Sequence, residues 1–263
     1  KIDYTLKWCT SDGNSCSEEK IETATFPIYN MVYIPSLTSL NDDIFTELTN
    51  LNSEAFYMDI YEISEYLYTT CQAGNCFNDN GLPPSSTLPK IIDSDGAKYW
   101  AENNRTTIIE AVTIEFRLPT QSEWMIGAGV DYNTDLFMID NDNISVEAEQ
   151  FYYTPYQSGG LLMCNHANIF SCYGEARAIG SYNEMTSPIG LYDCSGNLME
   201  WVTNESGEIE NKLMGGYYNS LSSQAQSNSS SILICDGENC LGTGFRTVID
   251  ADNFLEDWIN AID

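Results

Sequence analysis

The segment Gly190–Trp201, GLYDCSGNLMEW, limits the possible folds more than any other stretch of the chain. Its apolar residues follow neither the period of a helix nor the alternation of a strand. Asp193 and Glu200 supply carboxylate oxygens on either side of Gly196, which permits a turn. Main-chain carbonyls in such a turn can point to a common centre, as a calcium ion requires. The alternative is a tight turn in which Asp193 and Asn197 accept hydrogen bonds from nearby N–H groups.

The net charge excludes several classes of partner. The 263 residues include 10 Lys and Arg against 39 Asp and Glu, which gives a formal net charge of −29. Such a charge repels nucleic-acid phosphates and anionic membrane surfaces. The sequence also contains no run of about 18 apolar residues that could span a bilayer. We therefore expect no binding to nucleic acid and no insertion into a membrane, and cations or basic partners are the natural counterparts.

Eight of the nine cysteines form local pairs along the sequence, and Cys194 is left over. The pairs are Cys9 with Cys16, Cys71 with Cys76, Cys164 with Cys172, and Cys235 with Cys240. This spacing favours loop disulfides, which persist in oxidising compartments. The alternative is a metal site, but the spacings and a single histidine, His166, fit zinc poorly. We expect an extracellular protein, or one at a cell or virion surface, from which a signal peptide has been removed.

Turn and helix signals divide the chain into three parts. Residues 1–25 are predicted to form a hairpin appendage and residues 26–250 the main domain. Residues 251–263 are predicted to form an amphipathic helix, because five apolar residues recur there at helical spacing: Phe254, Leu255, Trp258, Ile259 and Ile262. This helix is expected to pack on its own domain or on a neighbouring copy.

Local signals place several elements inside the main domain. The segments YNMVYIP and EAFYMDIYEIS are rich in aromatic and β-branched residues and are predicted to be strands. A short helix is predicted to begin near Ser94. Another helix should follow Thr120, because Thr120 and Glu123 can form a reciprocal capping box. The sequence beyond Gly129 is predicted to consist mostly of loops.

Six short motifs occur in an order that resembles the formylglycine-generating-enzyme family, also called the sulfatase-modifying factor family. They are AFYMDIYEIS at 55–64, FRLPTQSEW at 116–124, ANI at 167–169, GLYDCSGNLMEW at 190–201, LMGGYY at 213–218 and TGFRTV at 243–248. The resemblance covers roughly residues 29–249. It implies a large variant of the C-type lectin fold, an α+β fold with small antiparallel sheets, few helices and long irregular loops.

The resemblance also implies bound calcium. Members of the family hold one calcium ion with residues that match Asp193, Gly196, Leu198 and Glu200, the middle two through main-chain carbonyls. A second family calcium ion uses residues that match Asn168 and Ile169, together with a loop that is shorter in this chain. One calcium ion is therefore expected, and the second remains open.

The catalytic part of the family pattern is broken. The family uses two cysteines after the double glycine to bind copper, and Ser220 and Ala225 stand at those places here. Other members of the wider family use three histidines to bind iron, whereas this chain has only His166. We therefore expect a protein that is not an enzyme. The alternative is an oxidoreductase of the family whose site is rearranged around Cys235 and Cys240.

The stretch after the double glycine is the expected binding surface. The same scaffold is used by variable proteins of diversity-generating retroelements, which diversify the stretch that corresponds to residues 217–243. The candidate ligand-binding residues are Tyr217, Tyr218, Asn219, Ser220, Ser222, Gln224, Gln226 and Asn228. A flexible serine-rich loop is the simpler alternative. The expected ligand is a protein or a carbohydrate, and the chain is also a candidate subunit of a homo-oligomer or filament.

Overall fold

The computed structural model describes residues 30–34, 54–73, 76, 87–109, 112–128, 164–182, 186–187, 190–225, 230–232 and 240–251. The predicted hairpin of residues 1–25 and the terminal helix beyond Ala251 lie outside these residues. Three of the predicted disulfide cysteines, Cys9, Cys16 and Cys235, also lie outside them, as do the candidate ligand-binding residues Gln226 and Asn228. Within the described residues, no helix has the length and apolar character needed to cross a membrane.

The described part of the chain is α+β, as the sequence predicts, and its elements are short. The described residues include three α-helices: α1 Glu65–Gln72, α2 Ser94–Tyr99 and α3 Gln121–Ala128. A π-helix, Trp100–Arg105, continues α2 directly, and a 3-10 turn spans Ser222–Gln224. The nine strands are β1 Met31–Ile34, β2 Phe56–Asp59, β3 Thr107–Ile109, β4 Val112–Ile114, β5 Met199–Thr203, β6 Ile209–Met214, β7 Ser230–Ile232, β8 Thr243–Gly244 and β9 Val248–Asp250.

The helices begin where side chains can satisfy their first N–H groups. The predicted capping box of α3 is confirmed: the Glu123 N–H donates to Thr120 Oγ1 at 3.2 Å, and Glu123 Oε2 accepts from the Thr120 N–H at 2.8 Å. Asp93 caps α2, in agreement with the predicted start near Ser94. Helix α1 was not predicted; it begins after Ser64, whose Oγ accepts from the Leu67 N–H at 3.1 Å.

The strands form three small sheets. In the first, β2 lies between β1 and β9, with antiparallel pairing on both sides. The predicted strands in YNMVYIP and EAFYMDIYEIS are thus confirmed as β1 and β2. The second sheet is the β3–β4 hairpin. The third has the order β7-β6-β5-β8, in which β8 pairs with β5 in parallel and the other pairs are antiparallel.

Two clusters of buried apolar side chains form the core around β5. One packs α3 against the first sheet and includes Phe56, Met58, Trp124, Leu191 and Val248. The other packs α1, α2 and the π-helix against the third sheet and includes Ile63, Trp100, Trp201, Leu213 and Phe245. Each fully buried side chain of this size contributes about 1.5–3 kcal/mol to folding. The segment that leads into β5 is therefore packed from both sides.

The turn predicted at Gly196 is present and lies close to another loop. Gly196 has a φ of +80°, a conformation that side chains with a Cβ rarely adopt. A Cβ at this position would overlap the carbonyl oxygen of Asn168. That carbonyl accepts the N–H of Asn197 at 2.8 Å, so the two loops approach at the main-chain level. Glycine is required here for both conformation and space.

Substitution of Gly196 should separate the steric cost from the conformational cost. Gly174 serves as the matched control, because its φ of +76° is similar and a Cβ there would meet no atom within 4 Å. We expect Gly174→Ala to lower the free energy of unfolding by about 1–2 kcal/mol. Gly196→Ala should lose about 1–3 kcal/mol more. Urea unfolding measures both values, and equal losses would show that the Asn168 contact imposes no steric constraint.

Candidate functional site

Glu200, one of the expected calcium ligands, lies in the middle of a buried ionic network. Arg246 donates to both of its carboxylate oxygens, from Nε to Oε2 at 2.6 Å and from Nη2 to Oε1 at 2.6 Å. Trp124 Nε1 donates to Oε2 at 2.7 Å. The side chains of Arg246 and Glu200 are 0% and 1% exposed. The charge of Glu200 is thus balanced inside the protein by a guanidinium.

Arg246 uses its remaining N–H groups on main-chain carbonyls. Nη1 donates to the oxygens of Asp59 and Ile60 at 3.0 and 3.3 Å, and Nη2 donates to the oxygen of Tyr192 at 2.9 Å. Burial by itself lowers the pKa of Arg246, but the adjacent Glu200 charge outweighs burial and holds this pKa well above its usual range. Arg246 therefore stays charged and joins three separate segments.

A second buried carboxyl, Glu62, holds the turn before β5. Its Oε1 accepts the Leu198 N–H at 3.0 Å, and its Oε2 accepts Asn197 Nδ2 at 2.5 Å. Burial, followed by the nearby charges of Asp193 and Glu200, raises the pKa of Glu62 well above its usual range. Leu198, an expected calcium ligand, is thus fixed through its N–H by a side chain that the sequence analysis did not select.

Asp193 and Asn197 accept hydrogen bonds from main-chain N–H groups, as the tight-turn alternative expects. Asp193 Oδ2 accepts the Gly180 N–H at 2.7 Å, and Asn197 Oδ1 accepts the Arg177 N–H at 2.8 Å. Burial raises the pKa of Asp193 to about 6, and the Glu200 charge adds to that effect. The Gly180 N–H and Arg246 oppose it. The turn before β5 is therefore tied to the loop of residues 164–182.

Asn168 has one oxygen that could serve a cation. Asn168 Nδ2 donates to the carbonyl oxygen of Glu175 at 2.8 Å and to Asn197 Oδ1 at 3.1 Å. Its Oδ1 is buried and has no hydrogen-bond partner. Ile169, the other residue of the expected second site, accepts the Cys172 N–H at its carbonyl oxygen at 3.1 Å. One unpartnered side-chain oxygen falls short of the six to eight oxygens that calcium takes.

The residues at the first expected calcium site fit that ion poorly. Both oxygens of Glu200 already accept from Arg246, whose positive charge would repel a second cation. Among the described residues, no group of three His, Cys, Asp or Glu side chains is arranged to hold a metal ion. The ion pair with Arg246 weighs against a calcium role for Glu200, and calcium binding by Glu200 stays a prediction. Calcium binding by Asp193, Gly196, Leu198, Asn168 or Ile169 stays a prediction.

The stretch after the double glycine forms a structured turn at the surface. Ser220 Oγ accepts the Tyr217 N–H at 3.0 Å, and the Ser220 N–H donates to the Tyr217 carbonyl oxygen at 2.8 Å. The rings of Tyr217 and Tyr218 meet edge to face, 5.1 Å apart. The described candidate ligand-binding residues Asn219, Ser222 and Gln224 follow on this turn and are partly or fully exposed.

Disulfides brace the loops near this turn and near α1. The predicted pairs Cys71–Cys76 and Cys164–Cys172 are confirmed, and Cys240 is also disulfide-bonded. Cys194 keeps its thiol and is buried, as predicted. Its Sγ lies 3.8 Å from the carbonyl oxygen of Tyr192, which also accepts from Arg246.

Glu62 and Arg246 were not predicted from the sequence to be members of this network. Both were visible as acidic and basic residues within quoted motifs, EAFYMDIYEIS and TGFRTV. A charged residue inside an apolar motif is a signal for a buried ion pair, because charged side chains are almost never fully buried unless they are paired. The pairing itself spans 46 residues for Arg246 and Glu200, so spacing could not reveal it.

Removal of the Arg246 charge should strongly destabilise the fold. We expect Arg246→Gln to lower the free energy of unfolding by about 3–5 kcal/mol, because Glu200 would be left as an uncompensated buried charge. Arg246→Lys should fall between this variant and the wild type, since it keeps the charge but loses the planar fork. The more exposed pair of Lys98 and Glu102 is the control, and Lys98→Gln should cost about 1 kcal/mol or less, since Lys98 Nζ also donates to the Gly207 carbonyl oxygen. Denaturant unfolding that shows similar losses for Arg246→Gln and Lys98→Gln would contradict the network.

Chelation tests the calcium prediction directly. If calcium binds as the sequence predicts, we expect a higher melting temperature in millimolar calcium than in excess EDTA, whereas the Arg246 ion pair alone would give the same melting temperature in both. Ligand that binds only the folded state would raise the melting temperature in proportion to its occupancy. Differential scanning calorimetry makes the comparison, with Asp193→Asn as the matched variant. A calcium-dependent rise that Asp193→Asn abolishes would show that the site expected from the sequence exists beside the ion pair.

Comparisons with known proteins agree with this architecture. The sulfatase-modifying factor enzyme 1-like domain matches residues 18–251 of the chain. A comparison with functionally curated proteins found no match. Among solved structures, variable protein 1 of Treponema denticola is 16% identical, with 84% of this chain and 94% of that chain covered at a TM-score of 0.51. The structure of CarF is also 16% identical, with 86% and 100% covered at a TM-score of 0.52.

The family match covers most of the chain and contains every element around the Glu200–Arg246 pair. At this level of identity the two solved structures support the fold alone. The small sheets, the few helices and the loop-built face agree with the lectin-like fold expected from the motifs. The chain therefore belongs to the family of the sulfatase-modifying factor enzyme 1-like domain.

Proposed function

We propose that this chain is a non-catalytic ligand-binding domain that acts outside the cell. The observation that carries the proposal is the structure around Ser220 and Ala225, which stand where the family pattern places its two copper-binding cysteines. Both residues are buried, and neighbouring groups of the fold occupy their surroundings. Neither side chain offers the soft thiolate that copper(I) selects.

Ser220 has a structural role in the binding turn. Its Oγ accepts the Tyr217 N–H at 3.0 Å, and its carbonyl oxygen accepts the Phe170 N–H at 2.9 Å. The hydroxyl therefore closes the turn, and the main chain links that turn to the neighbouring loop. A buried hydroxyl that is already hydrogen-bonded needs no catalytic role to explain it.

Ala225 fills a small apolar space between the same two loops. It is 0% exposed and packs in a cluster with Ala167 and Ile169, with Cys172 against the edge. The main chain at Gly216 is so close that a Cβ at 216 would lie 2.5 Å from the Ala225 Cα. This position serves packing, and alanine provides no group that could bind a metal or transfer a proton.

The alternative of an enzyme rearranged around Cys235 and Cys240 has little support. Cys240 is disulfide-bonded and 3% exposed, whereas a copper-binding or nucleophilic cysteine must be a thiolate. Cys235 lies outside the described residues. The disulfides that are present also support an oxidising location, since such bonds are rare in reducing compartments.

The accessible residues of the turn support ligand binding. The exposed Asn219 and the partly buried Tyr217, Tyr218 and Ser222 combine aromatic rings with adaptable hydrogen-bonding groups, the composition that antibody loops use. The turn is held on a packed scaffold, so that a ligand would not have to order it on binding. We propose a protein or a carbohydrate as the ligand, bound to this face. Assembly with further copies, the other use expected from the sequence, would require cations to offset the like charges of the copies.

A second candidate is a diversified receptor-binding protein. One solved structure with a similar fold is named a variable protein. The asparagine and serine codons at 217–231 would be suitable targets for diversification. A near-identical template repeat and a reverse transcriptase beside the gene would support this candidate, and their absence from the genome would exclude it.

Thiol labelling distinguishes the binding domain from the enzyme. We expect iodoacetamide to label no cysteine in the native protein and only Cys194 after denaturation without reductant, because the other cysteines are bonded or predicted to be bonded. Reduction followed by denaturation should expose all nine cysteines. Peptide mass spectrometry reads the labelled positions. Labelling of Cys235 and Cys240 in the native protein would overturn the proposal in favour of a reactive cysteine pair.

A further inference from the structure

We propose that the loop of residues 164–182, which a disulfide closes, forms the binding face together with the turn of residues 217–225, and that this face binds an apolar side chain of a basic protein segment. This inference rests on the proposed ligand-binding function and names the class of its partner. It starts from three large apolar side chains that are exposed: Phe170 at 51%, Tyr173 at 52% and Leu221 at 53%. We refer to these three residues as the exposed apolar patch.

The patch spans two loops that are joined to each other. The Phe170 N–H donates to the Ser220 carbonyl oxygen at 2.9 Å, which places Phe170 beside the residue that precedes Leu221. Burial, followed by Tyr217 and by the charge of Glu175, two residues after Tyr173, raises the pKa of Tyr218. Loop 164–182 therefore lies along the turn of residues 217–225, and its aromatic side chains extend the surface that the turn offers.

The loop that carries Phe170 and Tyr173 is held rigidly. Cys164 and Cys172 close it with a disulfide, and Cys172 packs on the buried cluster of Ala167, Ile169 and Ala225. Asn168 and the Arg177 N–H both bond to Asn197 in the turn before β5. A rigid loop loses little conformational entropy on binding, so exposed aromatic rings on it are suited to serve as anchors.

The patch is uncharged overall on a strongly acidic chain. Residues 164–182 and 215–225 contain one glutamate, Glu175, and one arginine, Arg177, against a net charge of −29 for the whole chain. Arg177 lies over the Tyr173 ring at 4.4 Å from its centroid. The centre of the face therefore favours an apolar group, while the surrounding field attracts a positively charged partner.

These features select a basic protein segment over other occupants. A second copy of the chain carries the same negative charge and would be repelled, as would nucleic acid. A carbohydrate would gain nothing from the negative field. The aliphatic side chain of Leu221 gives the exposed apolar patch a surface that suits an apolar side chain better than sugar hydroxyls. The partner is therefore a peptide or protein loop with an aliphatic or aromatic anchor and flanking Lys or Arg.

Selection from a displayed library of random twelve-residue peptides tests the proposal. The target is the full chain with its disulfides intact, and the readout is peptide affinity by biolayer interferometry. We expect the enriched peptides to share an apolar anchor with basic flanks. Phe170→Ser with Tyr173→Ser should weaken them by about tenfold or more, as loss of anchor contacts does. Leu221→Ser should weaken them as well, whereas the matched control Tyr99→Ser, 63% exposed on α2, should leave them unchanged.

The outcomes separate this inference from the proposed function. If Leu221→Ser abolishes binding but Phe170→Ser with Tyr173→Ser does not, the proposed function is kept and the role of loop 164–182 is overturned. Peptides that bind all variants equally, or that lack basic residues, would overturn the inference. If no peptide is enriched, the peptide partner is also overturned, and a glycan array then examines the proposed function by itself. Glycan binding that Leu221→Ser abolishes would keep that function. In each experiment, a melting temperature like that of the wild type confirms that the variant folds.

Discussion

The buried pair of Arg246 and Glu200 is the interaction on which the rest of the structure depends. Burial of either charge alone would cost several kcal/mol, and the pair is tolerated because every side of it is hydrogen-bonded. Trp124, on α3, donates a hydrogen bond to the Glu200 carboxylate. The Arg246 guanidinium donates to three main-chain carbonyls: those of Asp59, Ile60 and Tyr192. The pair thus connects β5, the end of β2, the segment before the turn and α3, so none of these can move independently.

The same network reaches the proposed binding face through a chain of polar contacts. Glu62 holds Asn197, and Asn197 in turn holds Asn168 and the main chain at Arg177. The last two of these bonds join Asn197, a buried residue of the scaffold, to loop 164–182. Rigidity at the surface is therefore derived from the core, and a face built from irregular loops can keep one shape without regular secondary structure. This arrangement explains how short strands and few helices can support a defined binding surface.

The features that could be predicted from the sequence are those that depend on residues close together along the chain. The capping box of Thr120 and Glu123, the start of α2 and the local cysteine pairs at Cys71 and Cys164 depend on residues a few positions apart, and all were found. The resemblance in six motifs supplied the fold. The helix α1 was missed because Ser64 and its first turn carry a weak capping signal within a segment rich in aromatic and β-branched residues, which favours a strand. The partner of Glu200 was missed because it is distant in sequence.

The difference between a calcium site and an ion pair shows why the site was harder to predict than the fold. Asp193, Gly196 and Glu200 are residue types that suit calcium, and a turn of this shape brings their oxygens inward in either case. What decides between the two is the source of the positive charge. Here Arg246 lies in another motif, and its guanidinium donates to both oxygens of the Glu200 carboxylate. A pattern within one segment defines the acceptors, whereas the donor is known only once the chain has folded. The scaffold thus keeps the fold of its family, and the charge of Glu200 is balanced by a residue 46 positions away that also fixes the segment before β5.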